Sequence, residues 1–158
     1  MKIYLIGLPG VGKSRIGQKL AEELKLSFLD LDVEIEKKHR ISPAEMIKES
    51  GEAFFRDIET KVLKETSSFK GVIACGGGIV LRQENLHYMM GKVIYLESSP
   101  SAIKIDQSEI LKRPILQNKT MTELFFEREC DYLHFSNLVI NVENKSDLEI
   151  ITLIRSQL

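Results

Sequence analysis

The chain has 158 residues, 43% hydrophobic and 28% charged, with 22 basic and 23 acidic side chains and a formal net charge of -1. That size and mixture suit one globular domain that buries roughly 68–70% of its unfolded surface, and they exclude a disordered, collagen-like or coiled-coil chain. The near balance of charge leaves no global field for nucleic acid or an anionic membrane, so any anion site must be local.

The first β-rich run, Lys2 to Ile6, leads directly into Gly7-Leu8-Pro9-Gly10-Val11-Gly12-Lys13-Ser14. Met1 to Leu8 therefore lacks the long apolar region and cleavage site of a signal peptide, and no run approaches the ~20 apolar residues of a membrane span; a cytosolic location is expected. The octet fits G-x-x-x-x-G-K-[ST] between a strand and a helix, the context of a phosphate-binding P-loop. Glycines let the backbone curl so that consecutive N–H groups of Gly10, Val11 and Gly12 face one point, and the following helix dipole favours an anion there. Lys13 is placed to reach the terminal phosphates and the Ser14 hydroxyl to ligate Mg²⁺. Ile16, Leu20 and Leu24 recur at spacing four, predicting a helix from about Lys13 to Leu26.

The second strand is predicted over Ser27 to Leu31. Its end carries Asp30-Leu31-Asp32, and the strand period of two sends both carboxylates to one side and Leu31 to the other. Two acids beyond a strand's carboxyl end suit a division of work between metal and hydroxyl; a solvated pair capping the next helix would look the same. Ser42-Pro43-Ala44-Glu45 has the form of a capped helix start. Phe54, Ile58 and Val62 mark a further helical face, on which Glu59 lies three residues after Arg56 and can brace it.

The third strand, Val72 to Cys75, runs into Gly76-Gly77-Gly78. Three missing side chains allow close approach of backbone to a small polar molecule, or else make a flexible turn. After the fourth strand, Lys92 to Leu96, the stretch Ser98 to Thr120 is irregular, contains Lys112-Arg113-Pro114, and has the look of a mobile flap. Arg128 lies on a later helix, and the fifth strand, Leu138 to Val142, precedes a last helix from Ser146 to Leu158. Singly, Arg56, Arg113 and Arg128 read as solvated surface; together they suit an acidic substrate, because a guanidinium fork matches a carboxylate or phosphate. Strands alternating with longer helical stretches define an α/β class with a parallel sheet covered by helices. Cys75 and Cys130 share no metal-ligand spacing and read as reduced thiols, and His39, His87 and His134 have no shared ligand pattern.

Six landmarks in order then resemble the shikimate kinase family, of the nucleoside-monophosphate-kinase-like P-loop fold: the octet, Leu29-Asp30-Leu31-Asp32, Gly51-Glu52-Ala53-Phe54-Phe55-Arg56, Gly76-Gly77-Gly78, Arg113-Pro114-Ile115-Leu116, and Arg128 with Tyr132. The resemblance implies a three-layer αβα domain over residues 1–158 with a five-stranded parallel sheet in the order 2-3-1-4-5. It divides into a core (1–29, 66–100 and 121–158), a substrate-binding region (30–65) and a lid (about 104–120). It implies transfer of the ATP γ-phosphoryl group to the 3-hydroxyl of shikimate, giving ADP and shikimate 3-phosphate in aromatic amino-acid biosynthesis, with Mg²⁺ and a monomeric enzyme. On this pattern Asp32, Lys13 and Arg113 are catalytic. Gly10, Val11, Gly12, Lys13, Ser14, Arg15 and Arg113 hold nucleotide, and Ser14 with Asp30 serves the metal. Asp32, Arg56, Gly76, Gly77, Gly78 and Arg128 hold the acceptor.

Three positions depart from the pattern. Cys75 stands where threonine or serine is usual and is a weaker hydrogen-bonding group. No arginine opens the lid, where Lys104 offers a point charge instead of a fork. Arg15 follows Ser14 where a small residue is common. Two other readings stay open on the sequence: a kinase for a different small polyol acid such as gluconate, and a nucleotide-binding regulatory protein without transfer chemistry.

Overall fold

A computed structural model describes residues 1–158. Hydrophobic alternation builds its sheet. Strand β1 (Lys2–Ile6) sends Ile3 and Leu5 to one face and Tyr4 and Ile6 to the other, all fully buried, which requires cover on both faces. Cover on the first face comes from helix α1 (Lys13–Leu24), through Ile16 and Leu20, and from the C-terminal helix described last; the second face receives all the other long helices.

After α1 the chain forms β2 (Ser27–Asp30), α2 (Leu31–His39), α3 (Pro43–Ser50) and α4 (Glu52–Glu65), then β3 (Gly71–Ala74). Strand β4 (Lys92–Glu97) follows two short 3₁₀ segments. Two five-residue helices, α5 (Gln107–Leu111) and α6 (Pro114–Asn118), precede the long α7 (Met121–Phe135), β5 (Leu138–Asn141) and α8 (Asp147–Ser156). All pairings are parallel and the order is β2-β3-β1-β4-β5, as the resemblance implied. Ile150 and Ile154 of α8 lie beside α1 on the first face, whereas Leu63 of α4 and Leu124 and Phe135 of α7 fill the second.

The order reverses about β1, with β3 on one side and β4 on the other, so its carboxyl end opens into the crevice where α/β sheets bind ligands. The loop after β1 stands at that switch point. No helix is long and apolar enough to cross a membrane.

Several boundaries differ from expectation for local reasons. Helix α1 stops at Leu24 because Lys25 adopts the left-handed conformation (φ 55°) and its N–H turns back to Ala21 and Glu22. Strand β3 begins at Gly71 (φ 152°), where a Cβ would collide with the Ser27 carbonyl of β2. The region expected to be an irregular flap contains α5 and α6, each started by local sequence: Asp106 caps α5 by accepting the Glu109 N–H, and Pro114 occupies the first turn of α6, which has no side-chain cap. Ser42 and Pro43 start α3 as their sequence predicts.

Candidate active site

Gly7, Gly10 and Gly12 have φ of 146°, 79° and 106°, conformations that bend the chain off β1 and aim its N–H groups inward. Gly12 is the N-cap of α1, supplies no side-chain cap, and is followed by no acid in the first turn. The positive end of a 12-residue helix is thus left for an external anion. Lys13 is buried above this loop, and its Nζ donates to the Gly7 and Leu8 carbonyls at 2.8 Å each. Burial first, and then the charge of Arg113, lowers its pKa to about 8. An ammonium held that far below its ordinary value is poised to gain from phosphate.

The paired acids do not share the edge of a strand. Strand β2 ends at Asp30, which caps α2: its Oδ1 accepts the backbone N–H of Asp32 at 3.0 Å and of Val33 at 3.3 Å. The strand alternation predicted through Leu31 is therefore a helix turn, with Leu31 buried beneath it. Capping absorbs only one carboxylate oxygen of Asp30, and the other meets the Ser14 hydroxyl. A hydroxyl and a single carboxylate are the hard oxygen donors that suit Mg²⁺, which keeps several waters and takes few protein ligands; no cluster of three metal-binding side chains exists. Asp32 faces inward from the first turn of α2, with Oδ1 buried and unpartnered. Burial, reinforced by Asp30, raises its pKa against the pull of Lys13.

Sequence could not show whether the arginines converge, and they do. A cleft of about 590 Å³ is lined by Pro9, Asp32, Gly76 to Gly78, Arg56, Arg113 and Arg128, among others. Arg56 is braced as the spacing suggested, donating to Glu59 at 2.9 Å and Glu52 at 3.2 Å. Glu59 is fully buried, and burial raises its pKa although Arg56 opposes the shift. Arg128 is only 2% exposed and pairs with no carboxylate. Six buried side-chain polar atoms lack a partner, and five belong to Asp32, Arg56, Glu59, Arg113 and Arg128 of this cleft. Concentration of orphans in one cavity marks it as built for a polar ligand.

The triple glycine makes that convergence possible. A Cβ on Gly76 would lie 2.9 Å from Glu59 Oε2 and 3.1 Å from Asp32 Oδ1, and one on Gly77 would lie 3.3 Å from Arg128 Nη1. On Gly78 it would overlap the Arg56 guanidinium. The close approach expected here is thus made first by the chain's own charged groups. Tyr132, one turn beyond Arg128, donates to the Gly77 carbonyl at 2.5 Å and stacks on Tyr95 with ring centroids 5.0 Å apart, fixing the ribbon.

Other expectations resolve differently. Arg15 lies at the rim of the loop: its Nε donates to Asp147 at 3.1 and 3.2 Å, and its Nη2 lies where a Gly12 Cβ would be 3.0 Å away. Lys104 is exposed and does not line the cleft, whereas Lys112, which sequence reasoning passed over, does. Its position beside Arg113 was the available signal. Cys75 and Cys130 are both free. Cys75 is buried, and burial together with the Glu59 charge pushes its thiol up, so it stays neutral.

A phosphate loop at the switch point of a 2-3-1-4-5 sheet, facing one inward carboxylate and a set of cations, defines a P-loop kinase acting on a small molecule. Residues 9–158 match the family model for shikimate kinase. The shikimate kinase of Enterococcus faecalis is 37% identical over 163 residues, covering 99% of this chain and 97% of that protein, and that of Alkaliphilus oremlandii is 39% identical over 159 residues, covering 94% of each. Among solved structures, shikimate kinase from Acinetobacter baumannii in complex with shikimate superposes with a TM-score of 0.90 at 30% identity, covering 99% of this chain and 91% of that one. The Aquifex aeolicus enzyme gives 0.82 at 31%, covering 99% and 95%. The chain belongs to the shikimate kinase family, whose members are ATP-dependent kinases.

Proposed function

We propose that this chain transfers the γ-phosphoryl group of ATP to the 3-hydroxyl of shikimate, releasing ADP and shikimate 3-phosphate. One observation carries the reading. A buried guanidinium without an acidic partner, Arg128, stands in the same cleft as a carboxylate with one buried, unpartnered oxygen, Asp32, beside a phosphate loop. An acceptor with a carboxylate at one end and hydroxyls at the other satisfies both, and shikimate is such a molecule. A bound shikimate in the Acinetobacter baumannii relative supports the same assignment.

In this reading Gly10, Val11, Gly12 and Lys13 receive the nucleotide phosphates. Arg15, tethered to Asp147, adds a cation at the rim. Ser14 and Asp30 hold Mg²⁺, which shields the phosphate charge when bound. Arg128 and Arg56 grip the acceptor carboxylate. Gly76 to Gly78 present a flat ribbon to its ring, and Asp32 accepts hydrogen bonds from its hydroxyls. As the 3-hydroxyl oxygen bonds to the γ-phosphorus, the bond to the β–γ bridging oxygen breaks and the hydroxyl proton passes to Asp32. A raised pKa makes Asp32 a better acceptor for that proton. Charge developing on the transferred group falls to Lys13 and to Arg113 from the lid, residues 104–120, which closes over the substrate-binding region 30–65.

The test is ADP release by the purified protein with and without shikimate, together with Asp32→Ala. Release that depends on shikimate, lost by at least ~100-fold in the variant while ADP still binds, is the expected result. Unchanged phosphorylation in the variant, or release indifferent to shikimate, overturns the assignment.

A further inference from the structure

The cations of the α5–α6 segment are already engaged. Glu109 lies 3.5 Å from Lys112 Nζ and 3.9 Å from Arg113 Nη2, and all three side chains line the cleft. Local bonds hold this arrangement. Asp106 accepts the Glu109 N–H at 2.9 Å and the Ser108 hydroxyl at 2.6 Å, while the Gln117 amide ties α6 back to the Leu111 carbonyl at 3.0 Å. Arg113 also acts on the reaction centre: after burial itself, its charge is the largest influence lowering the pKa of Lys13. A single carboxylate therefore lies beside two cations, one of which acts through its charge on the lysine of the phosphate loop.

We propose that Glu109 is a positioning residue, a built-in counter-ion that occupies Lys112 and Arg113 and must be displaced before they can turn to the nucleotide's terminal phosphate. The inference rests on the kinase reading above. Closing the segment on nucleotide alone gives up two ion pairs, so little is gained by it. Contacts with the acceptor beneath supply the difference, and water is denied a closed, charged site in their absence. This is induced fit in electrostatic form, in which the energy of binding the correct acceptor assembles the charge around the phosphate. The pairs are partly solvated, with side-chain exposures of 71% for Lys112, 39% for Arg113 and 45% for Glu109, so each is weak and the combined effect is roughly three- to tenfold.

Glu109→Gln keeps the size and removes the charge. Without acceptor, the variant is expected to bind a non-hydrolysable ATP analogue roughly three- to tenfold tighter than the parent protein, with a smaller gain for ADP, which lacks the terminal phosphate. Its acceptor-free ADP release rises by a similar factor, while kcat at saturating shikimate changes by less than about twofold. Glu109→Asp retains the charge and stays nearer the parent. Asp106→Asn removes another acid of the same segment but leaves a capping side chain; an equal gain in that variant would assign the effect to the general field and overturn the pairing. Equal analogue affinity and equal acceptor-free release in Glu109→Gln and parent overturn it as well. Absence of shikimate-dependent release in the parent overturns the kinase reading instead, and the analogue affinities still decide whether Glu109 acts as the counter-ion.

Discussion

Replacing Arg128 by Met should damage acceptor binding without damaging the fold. Most core substitutions do the reverse. Arg128 is 2% exposed on α7 and has no acidic partner, so the free protein bears the desolvation of a guanidinium with little in return. Its charge does reach Glu59, but after burial, Arg56 and Asp32 in order of influence. Met keeps an unbranched apolar side chain at this buried position and removes the charge. Unfolding in urea without ligand should therefore show the variant as stable as the parent, or more so by up to about 2 kcal/mol. Shikimate affinity follows the opposite course. A fork donating two charge-assisted hydrogen bonds from so buried a position contributes about 2–5 kcal/mol, so calorimetric titration should give a Kd weakened by roughly 30- to several-thousand-fold. Arg56 keeps the loss from being total. A variant that binds shikimate within threefold of the parent, or that loses more than ~2 kcal/mol of stability, would refute the view of Arg128 as a cation reserved for the acceptor.

Arg56→Met has a different expected signature. It strands Glu59, fully buried and with a pKa already raised by burial, so the raised value climbs further. A carboxyl whose folded pKa lies above its ordinary 4.5 contributes stability below that value and loses it as pH rises through the folded pKa. The deficit in urea midpoint should then be small near pH 4 and grow toward neutrality to about 3–5 kcal/mol; a deficit independent of pH would refute it. Lys13 shows the converse linkage. Its pKa, lowered to about 8, costs the free protein stability as pH falls toward that value, and phosphate restores the ammonium. ADP binding at pH 8 should take up about half a proton per site, measured by calorimetry in buffers of different ionisation enthalpy, and no uptake would contradict the burial of Lys13 over the loop.

The phosphate loop was legible because its chemistry is contiguous: strand, glycines, lysine and helix follow one another, and each constrains the next. The acids after β2 were legible as functional but not as geometry. A strand period carried through Leu31 assigns both carboxylates to one face, whereas Asp30 satisfies the helix N-terminus and so ends the strand one residue early. Propensity for an extended run and a capping side chain compete there, and the cap prevails. Helices α5 and α6 were hidden for another reason: five residues each are too few to show a period. Glu59 was visible as a brace for Arg56, but its complete burial depends on the glycine ribbon crossing above it. That crossing is a tertiary fact no spacing encodes. For the same reason Gly76 to Gly78 read as room for a ligand, when the first occupants of that room are Asp32, Glu59, Arg56 and Arg128.

The distribution of counter-ions orders these groups by readiness to bind. Arg56 is met by Glu52 and Glu59, and Lys112 and Arg113 by Glu109, but Arg128 by no acid. An incoming carboxylate therefore gains most at Arg128, where nothing has to be displaced, and less at Arg56, whose two acids keep hold of it. Arg56 then serves as an immobile platform and Arg128 as the vacant cation, an arrangement that two equally free arginines would not produce. Two uncompensated guanidiniums so close together would repel each other and carry a second desolvation cost in the free protein. Bracing one and leaving the other open confines that cost to the single residue whose charge the acceptor will use.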